Sequence, residues 1–162
     1  MSVNKHRPHV LVLPEDRANS QLANGFHLEL GASRQIQVLP EVGGWTKVLE
    51  CFNSDHVRDM SGLPYRSMIL LIDFDGDVGR LEKAKASIPA DLTDRVFVLG
   101  VLSEPEVLKA EYRCSLEAIG TEIGRDCRQG TCTTWGHALL QHNAGEIERL
   151  HGHVLPALFE SA

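Results

Sequence analysis

The fold prediction starts from the stretch Met68-Ile69-Leu70-Leu71-Ile72-Asp73-Phe74-Asp75-Gly76-Asp77. Five apolar residues are followed there by an aspartate at every second position. A strand that is apolar throughout is typical of a central parallel strand, which helices bury on both faces. Gly76 allows a sharp turn, and alternation along an extended strand end would point Asp73 and Asp75 to the same side. The stretch therefore predicts a buried strand with an acidic loop at its carboxyl end.

Short apolar runs and helical patterns alternate on both sides of this stretch, as in an α/β domain with a largely parallel sheet. Beside residues 68–72, the predicted strands are residues 9–13, 35–39 and 95–99. The predicted helices are residues 15–30 with Gly31 as C-cap, 45–52 with a continuation over 55–60, 78–88, and several between 104 and 159. The sequence thus predicts a mostly parallel four-stranded sheet flanked by helices, with a helical C-terminal extension.

Length and composition indicate one globular domain rather than a membrane or secreted protein. The chain has 162 residues, of which 43% are hydrophobic and 23% charged, an ordinary balance for a globular domain. No apolar stretch is long enough to span a bilayer, and the polar N-terminus lacks an apolar signal segment. The four cysteines follow no disulfide-rich pattern, which fits a reducing cytoplasm.

The net charge of −6 limits the ways in which this protein can bind nucleic acid. Neutralisation of phosphates by basic residues supplies most non-specific affinity for nucleic acid, and an acidic chain lacks that source overall. We therefore expect weak unaided binding, helped by a metal ion, a local basic patch or a basic partner protein.

Carboxylates follow two of the predicted strands, where ligand sites of parallel α/β sheets form. Glu15 and Asp16 follow the first strand, and Asp73, Asp75 and Asp77 follow the third. Crowded carboxylates repel one another unless a cation or protons intervene, and hard oxygen ligands suit Mg²⁺ or Mn²⁺. The pattern predicts a metal site that supports phosphoryl transfer or phosphodiester cleavage, although a polar loop without function has the same composition.

The order of these motifs resembles the Toprim domain of topoisomerases, primases, small nucleases and the overcoming-lysogenization-defect nucleases. The resemblance covers about residues 10–111 and depends on motif order more than on identity. It implies that Glu15 is a catalytic or metal-binding glutamate and that Asp73 and Asp75 bind metal. It also implies that residues 42–45 (Val-Gly-Gly-Trp) form the glycine turn after the second strand, with Lys47 close by. In nuclease-like branches an acidic residue after the fourth strand often joins the site, and Glu104 and Glu106 are the candidates here.

On this resemblance, residues 1–8 are expected to be an N-terminal tail, 9–111 a Toprim-like core and 112–162 a helical extension of one domain. The function it implies is Mg²⁺-dependent cleavage of nucleic acid, with Asp77 or Glu104 supporting the metal and Glu15 as acid or base. An ATPase subunit is a possible type of protein partner. Glu15 is followed by Asp16 where the family usually has glycine, which favours the alternative of a non-catalytic binding module with a vestigial site.

Two other families have sequence motifs that are similar to parts of this chain. Residues 73–76 (Asp-Phe-Asp-Gly) look like the first motif of haloacid dehalogenase-type phosphatases, with Asp73 as nucleophile and Asp75 as general acid, although that motif normally opens the domain. Residues 10–19 are similar to the first strand and acidic pair of response-regulator receivers, with Asp73 as phosphoacceptor. The receiver has a shorter segment between its acidic sites and a lysine-proline step that this chain lacks. All three resemblances, to Toprim domains, to these phosphatases and to receivers, imply a metal bound by the same carboxylates.

A second set of potential metal ligands recurs every five residues near the C-terminus: Cys127, Cys132, His137 and His142. Structural zinc sites usually pair ligands two to four residues apart across a turn. A step of five residues reaches the opposite side of a helix, so we expect small, partly buried cysteines and mostly solvated histidines rather than zinc ligands.

Overall fold

The computed structural model of the protein describes residues 3–29, 34–77, 79–131 and 133–153. Four strands are present in this part of the chain: β1 (His9–Pro14), β2 (Ile36–Val38), β3 (Arg66–Leu71) and β4 (Val96–Leu99). The α-helices are α1 (Arg17–Glu29), α2 (Trp45–Cys51), α3 (Val57–Gly62), α4 (Gly79–Ala86), α5 (Pro105–Tyr112), α6 (Leu116–Gln129) and α7 (Ala144–His153). A π-helical turn, Phe52–His56, joins α2 to α3.

The four strands form one sheet in the order β2-β1-β3-β4, and every pair is parallel. The chain moves outward from β1 to β2, then returns to the other side of β1 for β3 and β4. β1 and β3 are therefore the central strands. This arrangement confirms the predicted α/β class and the flanking of a parallel sheet by helices.

Helices cover both faces of the sheet because the strand residues alternate between two apolar clusters. One face carries Leu11, Leu13, Met68 and Leu70 against α2, α3 and α4. The other carries Val10, Val12, Phe97 and Leu99 against α1, α6 and α7. The side chains of Phe52, Met60, Met68 and Leu70 are fully buried. The result is a three-layer domain whose two cores are separated by the sheet.

The predicted elements match the structure closely, with small differences at their ends. β3 begins two residues before Met68 and ends at Leu71, and β2 is shorter than residues 35–39. The predicted helices over 45–52 and 55–60 are one continuous helical segment, because the π-helical turn bridges them. The predicted C-cap Gly31, the first residue of the predicted helix 78–88, and residues 154–159 lie outside the described residues.

Residues 112–153 supply α6 and α7, which lie on the face of the sheet that α1 also covers. No helix in the described ranges combines the length and the apolar character needed to cross a bilayer.

Polar side chains from the region of α7 form hydrogen bonds with the free backbone groups at the edge strand β4. The Asn143 amide brackets Gly100, accepting from its N–H at 3.1 Å and donating to its carbonyl at 2.9 Å. One turn later, Glu146 accepts the Val98 N–H at 3.0 Å, and Lys85 and Arg149 pair with the same carboxylate. These side chains satisfy backbone groups that a fifth strand would otherwise pair, and an unpaired edge invites association.

Helices α1 and α6 approach so closely that glycines are required between them. A Cβ on Gly120 would lie 2.0 Å from the Leu22 carbonyl oxygen, and one on Gly25 would lie 1.9 Å from the Glu117 carbonyl oxygen. Both contacts are with backbone, which cannot swing aside as a side chain can. The position of α1, which carries part of the site described below, therefore depends on this contact.

We expect Gly120→Ala to lower the free energy of unfolding by about 2–3 kcal/mol, since the added methyl group forces the two helices apart. Gly145→Ala in α7 is the matched control, because its Cβ would meet nothing within 4 Å and alanine favours a helix over glycine. Urea denaturation of both variants measures the difference. Equal stability of the two variants would contradict the close packing of α1 on α6.

Candidate metal centre

The acidic cluster formed by Glu15, Asp16 and Asp73 lies beyond the carboxyl ends of β1 and β3. These two strands are neighbours in the sheet, and the chain leaves them toward opposite edges. In open parallel sheets, ligands bind in the crevice outside the strand ends where the order reverses. The topology therefore puts the cluster at the position where an α/β sheet of this kind forms its binding site.

Glu15 joins three segments at this end of the sheet. Its carboxylate Oε2 accepts the backbone N–H of Asp73 at 2.6 Å. Its own N–H donates to the Leu71 carbonyl at 2.8 Å, and its carbonyl accepts the N–H of Gly43 at 2.7 Å. Glu15 thereby fixes the start of the acidic loop and the glycine turn after β2 relative to β1.

A fully buried asparagine holds the other two carboxylates together. The Asn19 Nδ2 donates to Asp16 Oδ1 at 3.0 Å and to Asp73 Oδ1 at 2.9 Å. Asp16 also accepts the backbone N–H of Asn19 at 3.0 Å, which makes it the cap of α1. The Asn19 Oδ1 atom is buried and has no hydrogen-bond partner, so it leaves one uncharged oxygen ligand unused beside the carboxylates.

Burial and crowding make Asp73 and Glu15 hold their protons more tightly than isolated carboxyl groups do. Burial raises the pKa of Asp73 to about 7 against the opposing hydrogen bond from Asn19, and the Asp16 and Glu15 carboxylates add to the rise. The pKa of Glu15 is also raised, chiefly by burial, although the N–H of Asp73 opposes this. A group with a pKa near 7 can exchange protons at neutral pH.

An arginine on α4 lies against the acidic loop. The Arg80 Nη1 donates to the backbone carbonyl of Asp73 at 2.8 Å, and its Nη2 lies 4.0 Å from Asp75 Oδ2. The guanidinium carbon is 4.6 Å from the centre of the Trp45 ring, so the cation is stacked on an aromatic face. Its Nε is buried and unpaired. Arg80 thus places a positive group beside the carboxylates.

The remaining predicted ligands make no hydrogen bond to the side chains of this cluster in the part of the chain that the structure describes. Asp75 has a φ of 52° and a side chain that is 66% exposed; the alternation expected from an extended strand end is absent there because the chain turns. Asp77 Oδ1 accepts the N–H of Gly79 at 2.9 Å at the start of α4. Glu104 and Glu106 are exposed near the start of α5.

The donor set of the cluster suits a hard divalent cation in part. Glu15, Asp16, Asp73 and Asn19 offer oxygen ligands, which Mg²⁺ and Mn²⁺ prefer, and the Asn19 oxygen is buried without a hydrogen-bond partner. Among the described residues, however, no three His, Cys, Asp or Glu side chains are grouped so as to hold a metal ion. Mg²⁺ commonly takes only one or two protein carboxylates and completes its shell with water and phosphate oxygens. Asp16 and Asp73 are the two carboxylates that fit this requirement.

The C-terminal cysteines and histidines have separate partners. Cys127 is buried and accepts the Trp135 indole N–H at 3.5 Å. His137 Nε2 lies 2.6 Å from Glu111 Oε2, and the His142 ring packs against Phe74 with a centroid distance of 4.8 Å. Cys132 lies outside the described residues.

Two residues of the cluster and its surroundings escaped the sequence-based assignment of site residues: Asn19 and Arg80. The acidic pair at 15–16 pointed to Asp16, whose position before a helix is also a capping signal. Asn19 carried a weaker signal, an amide three residues into a helix. Nothing in the sequence pattern of α4 singles out Arg80, because its role depends on the approach of α2 and the acidic loop.

We expect the stability of the metal-free protein to fall as pH rises from about 4 to about 7, in part because of Asp73. Its pKa in the folded state, about 7, exceeds the ordinary value of 3.8. The folded state therefore binds more protons than the unfolded state in this window, and ionisation costs stability. Asp73→Asn removes this cost.

In urea denaturation with EDTA, Asp73→Asn should gain stability over the wild type on going from pH 4.5 to pH 8, on the order of 1–3 kcal/mol once solvent screening of the partly exposed carboxyl group is allowed for. The exposed Asp91→Asn is the control, with the same change of charge and no such gain. A constant difference between Asp73→Asn and wild type at both pH values would rule out a raised pKa at Asp73.

Comparisons of the chain with protein-family models, curated proteins and solved structures found no match.

Proposed function

We propose that the protein is a Mg²⁺- or Mn²⁺-dependent phosphodiester hydrolase, a Toprim-like nuclease, whose metal is held by Asp16 and Asp73. The observation that carries the proposal is the position of the carboxylates at the reversal point of the sheet, bridged by a buried asparagine. Carboxylates are costly to crowd and bury, and the fold of this chain retains them where a ligand site is expected.

In this proposal the residues of the cluster have different roles. A bound divalent ion supplies Lewis-acid stabilisation of the oxygens that attack and leave the phosphorus atom. Asn19 orients Asp16 and Asp73 through its amide, and its partnerless oxygen would be a further neutral oxygen donor beside a bound ion. Glu15, whose pKa is raised chiefly by burial, exchanges a proton with the reacting water or leaving group.

Two cations near the cluster offer contacts for substrate phosphates. Arg80 is held by Trp45 and the acidic loop. Lys47 is exposed, and its side chain folds back over Gly43 and Gly44, next to the hydrogen bond that joins Gly43 to Glu15. The net charge of −6 still opposes strong binding of nucleic acid, so we propose that the protein acts in a complex, with an ATPase subunit as one type of partner.

The second candidate is a non-catalytic binding module with a vestigial site. It is favoured by the bonds that already occupy Glu15 and by the outward position of Asp75. In such a module the cluster would serve only to join β1, β3 and α1.

Cleavage assays separate these proposals. Wild type, Asp73→Asn and the charge-matched control Asp91→Asn are incubated with labelled single- and double-stranded DNA, RNA and p-nitrophenyl phosphate, in Mn²⁺, Mg²⁺ or EDTA. We expect metal-dependent cleavage of nucleic acid by wild type and Asp91→Asn, and a loss of more than about 100-fold in Asp73→Asn, because Asp73 would be a direct ligand of the ion, whose loss costs more than that of an outer-shell partner.

Turnover of only the small ester would contradict the nuclease proposal and favour a phosphatase of the haloacid dehalogenase type. No turnover in any metal, together with an intact fold, would favour the non-catalytic module. Equal cleavage by wild type and Asp73→Asn would show that the activity does not arise at this cluster.

A further inference from the structure

An apolar cavity lies between the sheet and the helices, on the face that α1, α6 and α7 cover. Its volume is about 80 Å³. The lining comes from both layers and includes the strand residues Val12, Ile69 and Leu99 and the helix residues Ala23, Cys127 and Ile147. Protein cores are close-packed, and few of their voids are larger than a water molecule. A space of this size is therefore a departure from ordinary packing.

The cavity leaves one face of the central strand β3 incompletely covered. Met68 and Leu70 on the opposite face are fully buried, whereas Ile69 and Leu71, which line the cavity, keep part of their surface accessible. A central parallel strand is normally buried on both faces. Helix α1 packs on β1 and β2, and helix α7 packs on β4, so the gap lies over the strand between them.

The polar side chains in the lining already have partners within the protein. The Asn143 amide forms hydrogen bonds with both backbone groups of Gly100, and the Trp135 indole N–H donates to Cys127 Sγ at 3.5 Å. Burial raises the pKa of Cys127 to about 11, so the thiol is uncharged at neutral pH. No lining residue carries a buried side-chain nitrogen or oxygen without a partner. Since a buried water needs two to four polar partners, the cavity offers water little to bind.

Two small side chains border the cavity at positions where larger ones would fill it. Ala23 on α1 and Cys127 on α6 are both buried residues of the lining. An empty space in a core costs stability, because the atoms around it lose dispersion contacts, and substitutions that fill such a space commonly recover that stability. The chain keeps an apolar space that one larger residue would close, which favours a ligand as its occupant.

We propose that this cavity is a binding site for a small uncharged apolar molecule. An engineered cavity of roughly 150 Å³ with a lining of Leu, Ile and Phe stays dry and binds benzene or xenon. The present cavity, at about 80 Å³, suits a guest smaller than benzene, such as a short hydrocarbon. A charged guest would lose its hydration without gaining a partner. The site is separate from the acidic cluster, needs no metal, and does not depend on the proposed nuclease activity.

The test is a titration of the wild type with dissolved cyclopropane or with xenon under pressure, followed by ¹⁵N–¹H spectra. Sodium propionate at constant ionic strength is the charged probe. We expect saturable shifts with both gases, centred on residues 71, 99, 127 and 147 and on the Trp135 indole signal. We expect none with propionate, because the cavity offers no partner for a carboxylate.

Three variants make the result specific. Ala23→Leu should weaken binding of both gases at least tenfold, with an unchanged or higher Tm in their absence, since the added carbons occupy the empty space. Cys127→Leu fills the cavity from α6 and provides the test if Ala23→Leu does not fold. Ala118→Leu, on the exposed side of α6, is the control with the same added carbons and should bind as the wild type does.

Absence of saturable shifts in the wild type with both gases would overturn the proposal. So would binding that is retained in both Ala23→Leu and Cys127→Leu, because the guest would then lie outside this cavity. Equal shifts with propionate would also overturn it, because the site would then not be apolar.

Discussion

The parallel pairing of β1 with β3 is the constraint on which the proposed site depends. Register from His9–Arg66 to Pro14–Leu71 brings the two strand ends level, so that Glu15 and Asp73 must meet. The hydrogen bond from the Asp73 N–H to Glu15 and the bridge through Asn19 hold the carboxyl groups where they would otherwise repel one another. The pKa of Asp73, raised to about 7, is the electrostatic consequence of this arrangement.

Helix α1 contributes to both the site and the core. Asp16 caps its first turn, which carries Asn19, and its later turns pack against α6, where Gly25 and Gly120 allow the close approach. Because both contacts are with backbone, α1 and α6 are held close together. The glycine contact therefore supports the site from the later turns of the helix, although neither Gly25 nor Gly120 contacts a carboxylate of the acidic cluster.

Sequence patterns predicted most of the fold, because its strands and helices are signalled locally. The apolar run at 68–72 and the alternation at 35–39 correspond to β3 and β2, and the parallel sheet followed from the alternation of strands with helices. The location of the acidic loop followed from the end of β3. Strand order was not predictable in this way. The contact of Asn19 with Asp73 was missed because the two residues are 54 positions apart in sequence. Arg80 is only seven positions from Asp73, but its contact depends on how the acidic loop turns toward α4.

Local sequence patterns predict the positions of some candidate ligands better than those of others. Asp75 and Asp77 were grouped with Asp73 because they adjoin it in sequence; Asp75 has a left-handed backbone and an exposed side chain, and Asp77 accepts the N–H of Gly79. The direction of a side chain in a turn depends on backbone angles that residue types alone do not determine. The membership of the chain in the Toprim family stays a prediction.

Paramagnetic broadening of ¹⁵N–¹H signals during titration with Mn²⁺ measures whether Asp16 and Asp73 hold a divalent ion. We predict saturation at one ion per chain, with the strongest broadening at residues 15, 16, 19 and 73 and its loss in Asp73→Asn. Broadening centred on the exposed residues 75 and 77, or broadening that persists unchanged in Asp73→Asn, would contradict it.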